Sequence, residues 1–102
     1  MSDYEIQTTG VYRRDYQKLT KKDKFLKDKV DATVKQLLSD PFYTSLKTHK
    51  VVSSQFGRCY SSRATGDLRI LWDFINGKKI ILALAIGGHE GKRSVYRHEW
   101  KQ

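Results

Sequence analysis

Cysteine is nearly absent from the chain. The single Cys59 excludes an internal disulfide and fits a reducing compartment. A free cysteine usually packs as a small hydrophobe, so Cys59 is expected to be a buried structural thiol. Proline is equally scarce, with one residue, and the scattered glycines form no linker and no low-complexity tract. No internal repeat is visible. No apolar run approaches the roughly 20 residues that span a bilayer, so no membrane partner is expected. Met1 to Glu5 carry neither a basic flank nor an apolar stretch, so no signal peptide is expected and the cytoplasm is the expected location. The three histidines, His49, His89 and His98, show no paired ligand spacing, and with one cysteine a metal site is not expected. Gly87-Gly88-His89-Glu90-Gly91 is glycine-rich but does not fit the phosphate-binding P-loop pattern G-x-x-x-x-G-K-(S/T). No Ser/His/Asp signature is present.

What is abundant is positive charge. Lysine and arginine number 20 against 11 acidic residues, for a net charge of +9 over 102 residues. Such an excess points to a polyanionic partner: nucleic acid, an acidic protein, or both. The bland alternative is a basic surface that merely keeps the protein soluble. A hydrophobic fraction of 38% is enough for a core, and the length suits one domain spanning residues 1–102.

The pattern along the chain predicts α+β. Ile6 to Thr9 reads as a short first strand. Tyr12, Tyr16 and Leu19 share one helical face. Thr20 and Asp23 fit a capping box and predict a second helix. Its apolar face is Phe25, Leu26, Val30, Val34, Leu37 and Leu38, and Ser39-Asp40-Pro41 ends it. Two helices joined this tightly form an antiparallel hairpin. Lys21, Lys22, Lys24, Lys27 and Lys29 lie mostly off the apolar face, either as a solvated surface or as one that attracts RNA. Beyond Gln55 the period changes to two: Phe56, Arg58 and Tyr60 alternate with their neighbours, as do Leu68, Ile70, Trp72 and Phe74. Ile80 to Ile86 is a continuous apolar run, as in a central strand covered on both faces. The expected fold is a small antiparallel sheet with the helical hairpin on one face.

Asn76-Gly77 is a strong signal for a two-residue type I′ turn. Such a turn fixes register. It sets Trp72 opposite Ile81, Ile70 opposite Ala83 and Leu68 opposite Ala85 on the helix side. Arg69 then faces Leu84 and Asp67 faces Ile86 on the other side. This arrangement gathers Asp67, Arg69 and His89 at the hairpin end away from the turn.

Cleaving RNA without a metal requires a base for the 2′-hydroxyl, cations for the developing phosphate charge, and an acid for the leaving oxygen. Histidine titrates near neutrality, and the arginine fork matches a phosphate. Arg63, Arg69 and His89 can fill these roles, with Asp67 as an orienting group. Tyr96 can stack on a base or position the phosphate. His49, in Lys47-Thr48-His49-Lys50, is a second candidate base, expected on a loop. The competing readings are a surface ion pair for Arg69 and Asp67, a turn residue for His89, a polar loop residue for His49 and a solvated His98.

The order helical hairpin, Asp40-Pro41, Leu46-Lys47-Thr48-His49, Asp67-Leu68-Arg69-Ile70, Ala85-Ile86-Gly87-Gly88-His89-Glu90 and Val95-Tyr96 resembles the RelE/ParE superfamily of type II toxins over nearly the whole chain. It looks most similar to the RelE-like and YafQ-like branches. Cys59-Tyr60-Ser61-Ser62-Arg63 looks like the RelE strand that carries basic catalytic residues, with Ser61 where a lysine stands. Arg69 matches the arginine of the next strand. His89 falls where RelE-like toxins carry arginine and YafQ-like toxins histidine. Gly91 to Tyr96 looks like the RelE segment ending in its functional tyrosine. His49 and Asp67 resemble the YafQ-like histidine and aspartate. The resemblance leaves His49 and His89 as alternative bases.

The resemblance implies an mRNA interferase: a ribosome-dependent endoribonuclease working by metal-independent acid/base cleavage with no cofactor. Its implied partners are the ribosome, mRNA and a cognate acidic antitoxin. Lys47, Lys50, Lys92, Arg93 and Arg97 are the expected RNA contacts. Two rivals share the fold: a ParE-like inhibitor of DNA gyrase, and a non-catalytic basic RNA- or ribosome-binding module.

Overall fold

The computed structural model describes residues 3–75 and 79–88. In chain order the elements are β1 (Glu5–Thr8), α1 (Gly10–Thr20), α2 (Lys24–Ser39), a 3-10 turn (Thr44–Leu46), β2 (His49–Ser53), β3 (Gly57–Arg63), β4 (Leu68–Phe74) and β5 (Ile80–Gly88). The strands form one sheet in the order β1-β5-β4-β3-β2. The sheet is mixed rather than purely antiparallel, because β1 runs parallel to β5 at its edge. A parallel neighbour needs a crossover connection, and the helical hairpin is part of that crossover.

Both helices start on a side-chain cap. Thr9 Oγ1 accepts from the Tyr12 N–H at 3.0 Å and opens α1. Asp23 Oδ1 accepts from the Leu26 N–H at 2.9 Å and opens α2. The expected cap for α2, Thr20, instead closes α1 and donates to the Tyr16 carbonyl at 2.7 Å. A carboxylate adjacent to the helix outcompetes a hydroxyl still engaged in the preceding turn. Between the helices, Tyr16 Oη donates to Asp31 at 2.6 Å, and within α2 Lys27 Nζ donates to the same carboxylate at 2.8 Å. Burial pushes the Asp31 carboxyl up, but these two donors outweigh it and hold it below its ordinary value.

The core lies between the helices and one face of the sheet. Val30 and Leu37 of α2 and Tyr12 of α1 pack on Leu68, Ile70, Trp72, Ile81, Ala83 and Ile86. Trp72 is fully buried and stacks on Tyr60, with ring centroids 4.7 Å apart. The opposite face carries a smaller cluster of Cys59, Leu71, Leu84 and Ala85. Cys59 is buried, as expected for a structural thiol. Phe25 departs from the expected apolar face of α2: it is 71% exposed.

The β4–β5 register differs from that of a two-residue turn. The Ile75 N–H donates to the Ile80 carbonyl at 2.9 Å, whereas a two-residue turn would set Ile75 opposite Lys78. Asn76 and Gly77, the expected turn pair, lie outside the described residues. Trp72 meets Ala83 instead of Ile81, and Leu68 meets Gly88 instead of Ala85. Between these pairs β5 carries a bulge: Leu71 faces Ala85 and Trp72 faces Ala83, leaving Leu84 unmatched on β4. A bulge residue reverses the alternation beyond it. Ile86 therefore points into the helix-side core, and Ala85 lies on the other face.

Thr9 stitches this irregularity in place. Its hydroxyl donates to the Leu84 carbonyl at 2.7 Å, and its N–H donates to the Ala83 carbonyl at 3.1 Å. One residue thus caps α1 and satisfies the carbonyl of the bulge. Thr9→Ala is expected to cost about 1–2 kcal/mol from the lost cap and the orphaned carbonyl. Thermal unfolding followed by circular dichroism would measure it; an unchanged midpoint would remove Thr9 from this role.

Candidate functional site

The site residues meet at the sheet end where β3 turns into β4. Across the sheet, β-pairing sets His49 opposite Ser61, Ser61 opposite Leu71, and Leu71 opposite Ala85. Leu71 and Ala85 belong to the cluster away from the helices, so His49 shares that face. Two positions further along, Arg63 pairs with Arg69, and Arg69 pairs with Gly87. His49, Arg63 and Arg69 therefore occupy one face in adjoining rows. Diagonal neighbours on a sheet face lie roughly 7–8 Å apart, within reach of long side chains.

The two arginines are held differently. Arg63 is exposed, and its guanidinium makes no hydrogen bond or ion pair among the described residues. Arg69 is half-buried, and its Nη1 donates to the carbonyls of Thr65, Gly66 and Leu68 at 3.0, 3.2 and 3.1 Å. The turn itself is tight: the Ala64 N–H donates to the Leu68 carbonyl at 2.9 Å, and Thr65 Oγ1 accepts from the Asp67 and Leu68 N–H groups. Like charges directly opposite on a sheet repel. A rigid turn backbone that binds one of the two guanidinium groups fixes a positive field at this end, ready for an anion.

His49 is the first residue of β2 and is exposed, not placed on a loop as expected. Its Nδ1 lies 3.0 Å from the Lys47 carbonyl. A carbonyl can only accept, so Nδ1 carries the hydrogen. In the neutral ring the lone pair then resides on Nε2, the form a general base requires. Lys47 sits just before, in the left-handed region at φ 52°. A buried relay anchors this segment. Trp72 Nε1 donates to Ser62 Oγ at 2.8 Å, Ser62 Oγ lies 2.7 Å from Thr48 Oγ1, and Thr48 Oγ1 donates to the Pro41 carbonyl at 2.7 Å. The indole donor at one end and the carbonyl acceptor at the other fix its sense: Ser62 donates to Thr48. Sequence reasoning missed both β2 and this relay. The signal for β2 was the β-branched pair Val51-Val52; nothing in the sequence marked Ser62 and Thr48 as partners.

The structure separates some of the sequence candidates. Asp67 lies exposed in the β3–β4 turn before β4 begins, not opposite Ile86. Arg69 faces Gly87, not Leu84. Lys50 pairs with Tyr60, on the helix side of the sheet and away from His49. Ser61, where the resemblance implies a lysine, is fully buried between His49 and Leu71 in the sheet. His89, Tyr96, Lys92, Arg93, Arg97 and His98 lie outside the described residues; in the sequence, His89 directly follows Gly88, the partner of Leu68. Among the described residues no cluster of His, Cys, Asp or Glu could hold a metal, and no helix is long and apolar enough to cross a membrane.

This architecture is the RelE/ParE toxin fold. A YoeB/ParE toxin from Agrobacterium tumefaciens superposes with a TM-score of 0.69 at 15% identity, covering 84% of this chain and 99% of that one. RelE in the archaeal RelE–RelB complex of Pyrococcus horikoshii OT3 gives 0.67 at 17% identity, with 84% and 94% covered. The E. coli DinJ–YafQ toxin–antitoxin complex gives 0.62 at 20% identity, with 85% and 93% covered. No family model matches the sequence, and no curated protein matches it significantly.

Proposed function

We propose that this chain is the toxin of a type II toxin–antitoxin pair and that it cleaves mRNA on the ribosome. One observation carries the reading: Arg63 and Arg69 face each other on the same side of the sheet as His49, whose Nδ1–H is tied to a carbonyl. His49 Nε2 takes the proton of a 2′-hydroxyl. The 2′-oxygen attacks the adjacent phosphorus, and Arg63 and Arg69 neutralise the charge that builds on the phosphoryl oxygens. His89, protonated, returns a proton to the departing 5′-oxygen. The products are a 2′,3′-cyclic phosphate and a 5′-hydroxyl. Asp67 orients a cationic member of the site, and Tyr96 positions the scissile nucleotide. Lys92, Arg93 and Arg97 hold the flanking backbone, whereas Lys50, on the other face, contacts RNA outside the scissile segment.

His49 and Arg63 are both exposed, so the site neither encloses RNA nor orients it unaided. A ribosome that presents the message in one fixed conformation supplies the missing positioning. The cytoplasm is where such a toxin acts. The net charge of +9 suits an acidic antitoxin, and two of the similar structures, RelE–RelB and DinJ–YafQ, are complexes with a second protein.

Adding the protein to a translating bacterial extract and mapping message ends by primer extension tests the proposal. Cleavage is expected in translated message and not in the same message without ribosomes. Intact message together with gyrase trapped on DNA would transfer the protein to the gyrase-inhibitor reading.

A further inference from the structure

The exposed Phe25 belongs to a second surface. A cleft of about 740 Å³ runs between α2, the 3-10 turn and the β3–β4 turn. Its rim carries Phe25, Lys29, Lys47 and Arg63, and no carboxylate is among the described residues that line it. Thr33 joins its walls, donating to the Lys29 carbonyl at 2.9 Å and contacting the Ala64 carbonyl at 3.5 Å. Phe25 is the most exposed large apolar side chain among the described residues, at 71%. Lys29 Nζ lies 5.5 Å from the centre of its ring.

An exposed phenylalanine and several cations around a cleft whose described lining holds no acid is the composition of a single-stranded nucleic-acid track. The ring offers a stacking face to a base, and the cations follow the backbone. An acidic peptide would use the cations but gain little from the ring. The backbone of Lys47 adds an independent sign. Lys47 holds φ 52° at the end of the 3-10 turn, where glycine is the unstrained choice. A strained lysine on the rim of a basic cleft marks a side chain retained for what it binds. Arg63 lines the cleft and also pairs with Arg69, so the two surfaces border each other at the end of β3.

We propose that this cleft binds the single-stranded RNA flanking the scissile phosphate, with one base stacked on Phe25 and the backbone held by Lys29 and Lys47. The assignment rests on the RNA-cleaving reading for the identity of the polyanion and adds a subsite on the helix side of the sheet end.

The test is fluorescence anisotropy with a labelled 2′-O-methyl RNA 12-mer, which cannot be cleaved because the 2′-oxygen is blocked. Binding is measured across a salt series. Phe25→Ala is expected to weaken binding roughly 5- to 100-fold, as for loss of one stacked base, with the salt slope unchanged. Lys47→Gly is expected to flatten the salt slope by about 0.7, as for one lost phosphate contact, with a melting midpoint equal to or above wild type. Wild-type affinity in both variants overturns the subsite. So does failure of the wild-type protein to bind the oligomer. Equal affinity for poly-glutamate with indifference to Phe25→Ala overturns it in favour of an acidic protein. Loss of oligomer binding in the variants, in a protein that never cuts translated message, upholds the cleft and removes only the nuclease reading.

Discussion

Replacing His49 with alanine is expected to lower the rate of message cleavage by about 10²–10⁴-fold, the usual contribution of a positioned general base. The ring is exposed, and its bond to the Lys47 carbonyl lies within one turn of chain, so the melting midpoint should stay where it is. His49→Gln keeps the size and a donor for that carbonyl but cannot accept a proton at neutral pH, and should be as inactive. Arg63→Ala should show the same separation of activity from stability, because its guanidinium makes no bond within the described fold. Arg69→Ala should lose both, since the Thr65 and Gly66 carbonyls lose the guanidinium and the Leu68 carbonyl keeps only its backbone donors. Primer extension and thermal denaturation on the same preparations resolve these outcomes. Cleavage within a few-fold of wild type in both His49 variants would move the base to His89.

The largest expected loss of stability is at Trp72. The side chain is fully buried, stacks on Tyr60 at 4.7 Å and packs edge-on to Phe74 at 5.0 Å. Trp72→Ala should cost about 3–5 kcal/mol, a large share of the roughly 5–15 kcal/mol that holds a domain together. Ser62→Ala is smaller in volume but leaves the indole N–H buried with no acceptor, at about 1–3 kcal/mol. Trp72→Phe removes the same hydrogen bond from the other end. If the relay is cooperative, the double variant loses less than the two single losses added together. Urea denaturation followed by far-ultraviolet circular dichroism measures the cycle. Strict additivity would show that the Trp72–Ser62 bond contributes nothing beyond its separate parts.

The two predictions are connected through Thr48. It accepts from Ser62 and donates to Pro41, and it directly precedes His49. The core tryptophan therefore holds the start of β2 at a defined depth, and β2 presents the histidine on the opposite face.

Much of this was legible from patterning. Helical spacing located both helices, and Asp40-Pro41 marked the end of the second, because these signals act within a few residues of where they stand. Alternation from Phe56 onward located β3 and β4. The site was legible in part: Arg63, Arg69 and His49 could be named from residue chemistry and resemblance. Their arrangement could not, because it depends on the pairing of β2 with β3 and of β3 with β4, long-range contacts that residue chemistry does not encode.

Local sequence determined which segments form helices and strands, which residues are apolar enough to be buried, and that a basic surface exists to meet an anion. Only the tertiary structure decided the register. Pairing closes at Ile75 and Ile80, and Leu84 bulges because the Thr9 hydroxyl, 75 positions away in the chain, satisfies its carbonyl. Tertiary packing likewise turned Phe25 outward and set Arg63 opposite Arg69. The physical reason is range: propensity and periodicity are summed over neighbours in sequence, whereas a hydrogen bond from Thr9 to Leu84 exists only once the sheet has formed.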